Sequence, residues 1–68
     1  MDVATLRDLL REAEEHHARY EATAPEHQWP DWYAAFITAR EQGSTPEQAA
    51  GEAARYVERE RAGRGTSA

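Results

Sequence analysis

The chain has no cysteine. Neither a disulfide staple nor a thiolate metal site is open to it. It has no lysine: its eight basic residues are all arginine, against 13 acidic ones, for a formal net charge of −5. Binding to nucleic acid or to an anionic membrane normally takes a basic face, and this balance argues against both. No apolar run approaches about 18 residues, so no transmembrane helix is expected. The start, Met1-Asp2-Val3-Ala4-Thr5, does not lead from a basic stretch into an apolar one and does not read as a signal peptide. A cytoplasmic location is the expectation.

Large apolar side chains are also scarce. There are two tryptophans, three tyrosines, one phenylalanine and one methionine, and most of the 40% hydrophobic fraction is alanine. Alanine buries little area, so the rings and a few aliphatics must supply most of the driving force. The 68 residues make one domain. A domain of this size buries only about 60% of its unfolded surface, which makes it marginal. Small domains without staples often lean on oligomerisation.

What is present is helical periodicity. Leu6, Leu10, Ala13, His17, Tyr20 and Ala24 recur at spacings of three and four, with Leu9 and His16 widening the same face. Asp2 or Thr5 can cap this first helix, which is expected over about 3–22. Pro25 disfavours helix at Ala24 and ends it. Trp29-Pro30-Asp31 opens the second helix, with proline in the first turn and an acid at the positive end of the dipole. It is expected over about 30–42, with Gly43 as C-terminal cap. Thr45-Pro46-Glu47-Gln48 is a capping box that starts a third helix over about 46–60. The glycine-bearing stretch 62–68 reads as a flexible tail. The fold class is therefore all-α: a small antiparallel three-helix bundle over residues 1–61.

Its centre is Trp29-Pro30-Asp31-Trp32-Tyr33-Ala34-Ala35-Phe36-Ile37, which holds both tryptophans and the phenylalanine. The apolar arc of this helix spans roughly 200°, about twice that of an ordinary surface helix. A helix with neighbours on two sides, or one that meets a second subunit, would show this arc.

Few polar residues stand in unusual places. His17 falls within the apolar stripe of the first helix, and the plain reading is a neutral imidazole at the core edge. The sharper reading is a metal ligand or general base, with His16 and His27 as further candidate nitrogens. Adjacent histidines point about 100° apart on a helix, and the H-E-x-x-H spacing is absent. No metal and no cofactor is expected. Arg40 lies within the apolar arc of the second helix. Either it snorkels to water at the helix end, or it pairs with a carboxylate inside the domain or across an interface. Gly51, in mid-helix, marks either close approach of a partner or simple tolerance.

Two functional readings follow. The first is a non-catalytic interaction or accessory module, expected as a homodimer or beside a larger protein. It would bury leftover apolar surface of the second and third helices, with Trp29, Trp32, Tyr33, Arg40 and Tyr56 as partner-binding candidates, since interface hot spots favour Trp, Tyr and Arg. The alternative is a small-ligand or metal site around His17, Tyr20, Asp31 and Arg40. No nucleophile elbow or glycine-rich phosphate loop points to an enzyme.

Glu14-Glu15-His16-His17-x-x-Tyr20-Glu21, Asp31-Trp32-Tyr33-Ala34-Ala35-Phe36-Ile37 and Thr45-Pro46-Glu47-Gln48-Ala49 together carry a resemblance over about Leu6 to Val57. The chain resembles a small bacterial helical domain that stands alone or is appended to glyoxalase/bleomycin-resistance (vicinal-oxygen-chelate) proteins. No established activity attaches to that domain. The β-rich metal site of the glyoxalase domain has no counterpart in these residues, so its chemistry is not implied. The resemblance implies an accessory or interaction module.

Overall fold

A computed structural model describes residues 1–22 and 29–66, with side chains to residue 63. Three α-helices follow one another: α1 (Val3–Glu21), α2 (Trp29–Glu41) and α3 (Pro46–Thr66). No strand occurs among the described residues.

The helix ends are set by the local signals in the sequence. The Asp2 carboxylate accepts from the Thr5 backbone N–H at 3.1 Å and satisfies one of the orphan donors of α1. Gly43, at φ 101°, ends α2 in a conformation that costs other residues dearly. The Ser44 N–H reaches back to the Ala39 carbonyl and the Gly43 N–H to that of Arg40, both at 3.1 Å, which is the Schellman pattern. Thr45 and Gln48 then form the reciprocal box. The Gln48 N–H donates to Thr45 Oγ1 at 3.2 Å, and the Thr45 N–H donates to Gln48 Oε1 at 3.0 Å.

Helix α3 continues to Thr66, past the end near Glu60 that its glycines suggest. Once nucleated, a helix extends by one hydrogen bond per residue fixed, and a Cβ at Gly63 would meet nothing within 4 Å. Residues 67 and 68, part of the expected tail, lie outside the described residues, as does the first connection at 23–28.

The core is small and mostly alanine. Ala13 of α1, Trp32, Phe36 and Ala39 of α2, and Ala49, Ala53 and Val57 of α3 are buried. Trp32 and Phe36 are its only large fully buried side chains among the described residues, stacked with ring centroids 5.3 Å apart. Alanines on α1 and α3 let both helices approach these rings closely. Helix α2 therefore has α3 on one side and α1 on the other, and this accounts for its wide apolar arc. The α2–α3 contact is the more extensive of the two.

Candidate functional site

His17 lies where the sequence stripe puts it, buried against α2. Its ring sits 5.2 Å from that of Trp32 and 5.0 Å from that of Tyr33. Its Nδ1 is 3.7 Å from the Glu21 carboxylate, one turn along α1. Tyr20 packs on Trp32 with ring centroids 5.9 Å apart, and His16 lies over Phe36 at 5.6 Å. Both histidines thus serve as ring neighbours in a contiguous aromatic layer. No group of three or more potential metal ligands gathers among the described residues, and His27 lies outside them.

Arg40 is paired inside the domain. Its Nε donates to Glu12 Oε1 of α1 at 2.6 Å, and its Nη1 donates to the Ser44 carbonyl at 2.8 Å. Both side chains of the ion pair are about three-quarters covered, so it is screened less than a surface bridge. One guanidinium therefore fastens α1 to the end of α2 and to the turn before α3. Its carboxylate partner, Glu12, lies next to the buried Ala13 on α1.

Within the alternative ligand set, Arg40 stands apart from His17 and Tyr20. Arg40 engages Glu12 and Ser44, whereas His17 and Tyr20 pack around Trp32, more than two turns away along α2. Asp31, in the first turn of α2, is near enough to Tyr56 for its charge to help raise the pKa of the Tyr56 hydroxyl. The main cause of that upward pKa shift is the hydrogen bond of Tyr56 to Glu60. The Tyr33 pKa is also raised, first by burial and then by the charges of Glu14 and Glu21.

The partner-binding candidates divide in the same way. Trp32 is fully buried and presents nothing to a partner; its indole N–H is enclosed with no acceptor among the described residues. Arg40 is occupied internally. Tyr33 is half-buried against His17 and edge-on to Trp29 at 5.6 Å. Trp29, at 63% exposed, and Tyr56 remain on the surface. Tyr56 stands beside a shallow groove of about 290 Å³ between α2 and α3, lined also by Ala34, Ala35, Thr38, Ala39 and Arg59.

Exposed apolar side chains also occur elsewhere. Met1, Val3, Leu6 and Leu10 are all exposed, and only Trp29 and Tyr56 among the large apolar residues described join them. The sequence reading puts the leftover surface on α2 and α3, where Trp29 and Tyr56 are exposed; Val3, Leu6 and Leu10 add exposed apolar residues on α1. The reason is length. Helix α2 has 13 residues against the 19 of α1, and it ends one residue after Arg40, which grips Glu12. The turns of α1 before Glu12 have no α2 beside them. The stripe Leu6-Leu10-Ala13-His17-Tyr20 is legible in the sequence; where its cover stops is not.

No helix among the described residues is long and apolar enough to cross a membrane. Compared with protein families, curated proteins and solved structures, the chain shows no significant match to any.

Proposed function

We propose that this chain is a non-catalytic helical module that works by binding protein surfaces, itself first among them. One observation carries the reading. A chain with few large apolar side chains leaves Met1, Val3, Leu6, Leu10, Trp29 and Tyr56 in water and builds its core largely from alanine. Scattered exposed apolar residues are ordinary, but a row along one helix marks an interaction surface. The polar side chains that a catalytic reading would enlist support the fold instead: Arg40 with Glu12, His17 with Trp32 and Tyr33. The resemblance to an appended bacterial helical domain points the same way and allows a larger protein as a second partner.

Sedimentation equilibrium or light scattering tests this directly. A weight-average mass above one chain at high micromolar concentration, falling on dilution, is the expected result. One chain's mass throughout would overturn self-association.

A further inference from the structure

We infer that the corner formed by Trp29 and Tyr33, with Glu14 and Glu21 of α1 beside it, is a binding site for a guanidinium group, and that its occupant is an arginine side chain in a basic segment of another protein. The inference rests on the reading above that the chain binds protein surfaces, but not on its binding to itself.

The rings define the place. Trp29, the first residue of α2, is 63% exposed, and Tyr33 stands one turn on. Their centroids are 5.6 Å apart and their planes stand at 86°, so two ring surfaces meet at a right angle. Tyr33 packs in turn on the buried rings of His17, at 5.0 Å, and Trp32, at 5.9 Å, which fixes one wall of the corner. A cation over an aromatic face is attracted by the ring quadrupole, and indole is the best face for it.

The acids set the sign of the occupant. Glu14 and Glu21 are both exposed and seven residues apart, so they stand about 10 Å apart along one face of α1. Ala18, small and also exposed, lies between them on that face. Both carboxylates are close enough to act on the Tyr33 hydroxyl, which puts rings and acids within electrostatic reach of each other. The chain has eight arginines, yet among the described residues none pairs with either acid. Glu21 has only His17 Nδ1 at 3.7 Å, and its side chain is 61% exposed.

The arrangement also selects among cations. Two carboxylates about 10 Å apart along a helix do not hold one bare metal ion between them. An ammonium is compact and strongly hydrated. A guanidinium is flat and weakly hydrated, so it stacks on a ring and still turns its in-plane N–H groups to a carboxylate. Sites for free small molecules enclose most of the ligand, and Trp29 is too exposed for that. The guanidinium therefore arrives on a larger body. A basic polypeptide segment is drawn to a chain of net charge −5 and can supply it.

The test uses the full chain in dilute solution and a capped Gly-Arg-Gly peptide as the probe. The peptide shifts the Trp29 indole and Tyr33 ring NMR signals saturably, with a dissociation constant on the order of millimolar. Its own arginine methylene protons move upfield, as stacking on a ring requires. The Gly-Lys-Gly peptide binds more weakly. Trp29→Ala weakens arginine binding about fivefold and Glu14→Gln/Glu21→Gln about threefold. Both variants keep their helical circular dichroism, because all three side chains are exposed. Equal binding of the lysine peptide, or undiminished binding by Trp29→Ala, overturns the guanidinium site. If the arginine peptide does not bind while concentrated wild type still exceeds one chain's mass, this site falls and self-association stands. If the peptide binds and wild type keeps one chain's mass, self-association falls and the site stands. If the peptide lowers the mass of concentrated wild type, the occupant is an arginine of a second copy, and the assignment to another protein is overturned.

Discussion

The two halves of α1 carry one apolar stripe and meet different fates. From Glu12 to Tyr20 the stripe lies on α2: Ala13 and His17 are buried, and Glu12 is gripped by Arg40. From Val3 to Leu10 the same stripe, with larger aliphatics, faces water. The covered half gets by with an alanine, a histidine and a tyrosine because the rings of Trp32, Tyr33 and Phe36 come to meet it. The uncovered half holds the leucines. Hydrophobicity read along the helix would rank the halves in the wrong order of burial. Cover depends on how far the neighbouring helix extends, not on the stripe alone.

The sharpest way to break this contrast is to place one charge in each half. Ala13→Glu sets a carboxylate against fully buried rings and should abolish cooperative thermal unfolding, since an unpaired buried charge costs several kcal/mol or more in a marginal domain. Leu6→Glu, two turns earlier on the same face, should leave the monomer folded, with a change of about 0.5 kcal/mol or less. Urea titrations followed by circular dichroism in dilute solution would check both. A Leu6 variant that unfolded like the core variant would show that α1 acts as one unit.

Arg40→Ala comes next. It removes two charge-assisted hydrogen bonds and strands the mostly covered Glu12, for a loss of about 1–2 kcal/mol. A double-mutant cycle with Glu12→Ala should return a coupling of about 1 kcal/mol that shrinks in molar salt. No coupling would mean that the stripe packing alone seats α1. A smaller effect of opposite sign is expected at Gly51→Ala. A Cβ there meets only Arg55 Nη1, at 3.6 Å, so helix propensity should raise stability by about 1 kcal/mol.

The smallest effect is one of pH. Tyr33 has a raised pKa, from burial first and then from Glu14 and Glu21. Its neutral form is therefore favoured in the folded chain. The sign follows: this contribution is complete below the ordinary tyrosine value near 10 and is lost as pH rises through the higher folded value. Tyrosinate absorbance should show Tyr33 ionising later than free tyrosine. The double variant Glu14→Gln/Glu21→Gln should shorten that delay without removing it, because burial remains. A delay that vanished in this variant would make the two charges its whole cause.

Much of the fold is legible because its signals are local. The capping box at Thr45 and Gln48, the left-handed Gly43 and the Asp2 cap each act within a few residues, so the sequence places them without tertiary knowledge. Ala13 and His17 follow from period alone. The functional surface is less legible. Trp32 and Trp29 look alike in the sequence and stand only three residues apart, yet one is the centre of the core and the other, the first residue of α2, is exposed. In the sequence, Arg40 reads first as a residue that snorkels to water, and otherwise as one that pairs with a carboxylate within the domain or across an interface. The choice falls to Glu12, 28 residues away, which no local pattern singles out.

That guanidinium has a consequence for motion. Because Arg40 holds Glu12 with one nitrogen and the Ser44 carbonyl with another, the turn between α2 and α3 cannot swing open without slackening the root of the leucine-bearing half of α1. Amide exchange at the turn and at the middle of α1 should then report a shared opening event, so that a strain on one is felt at the other.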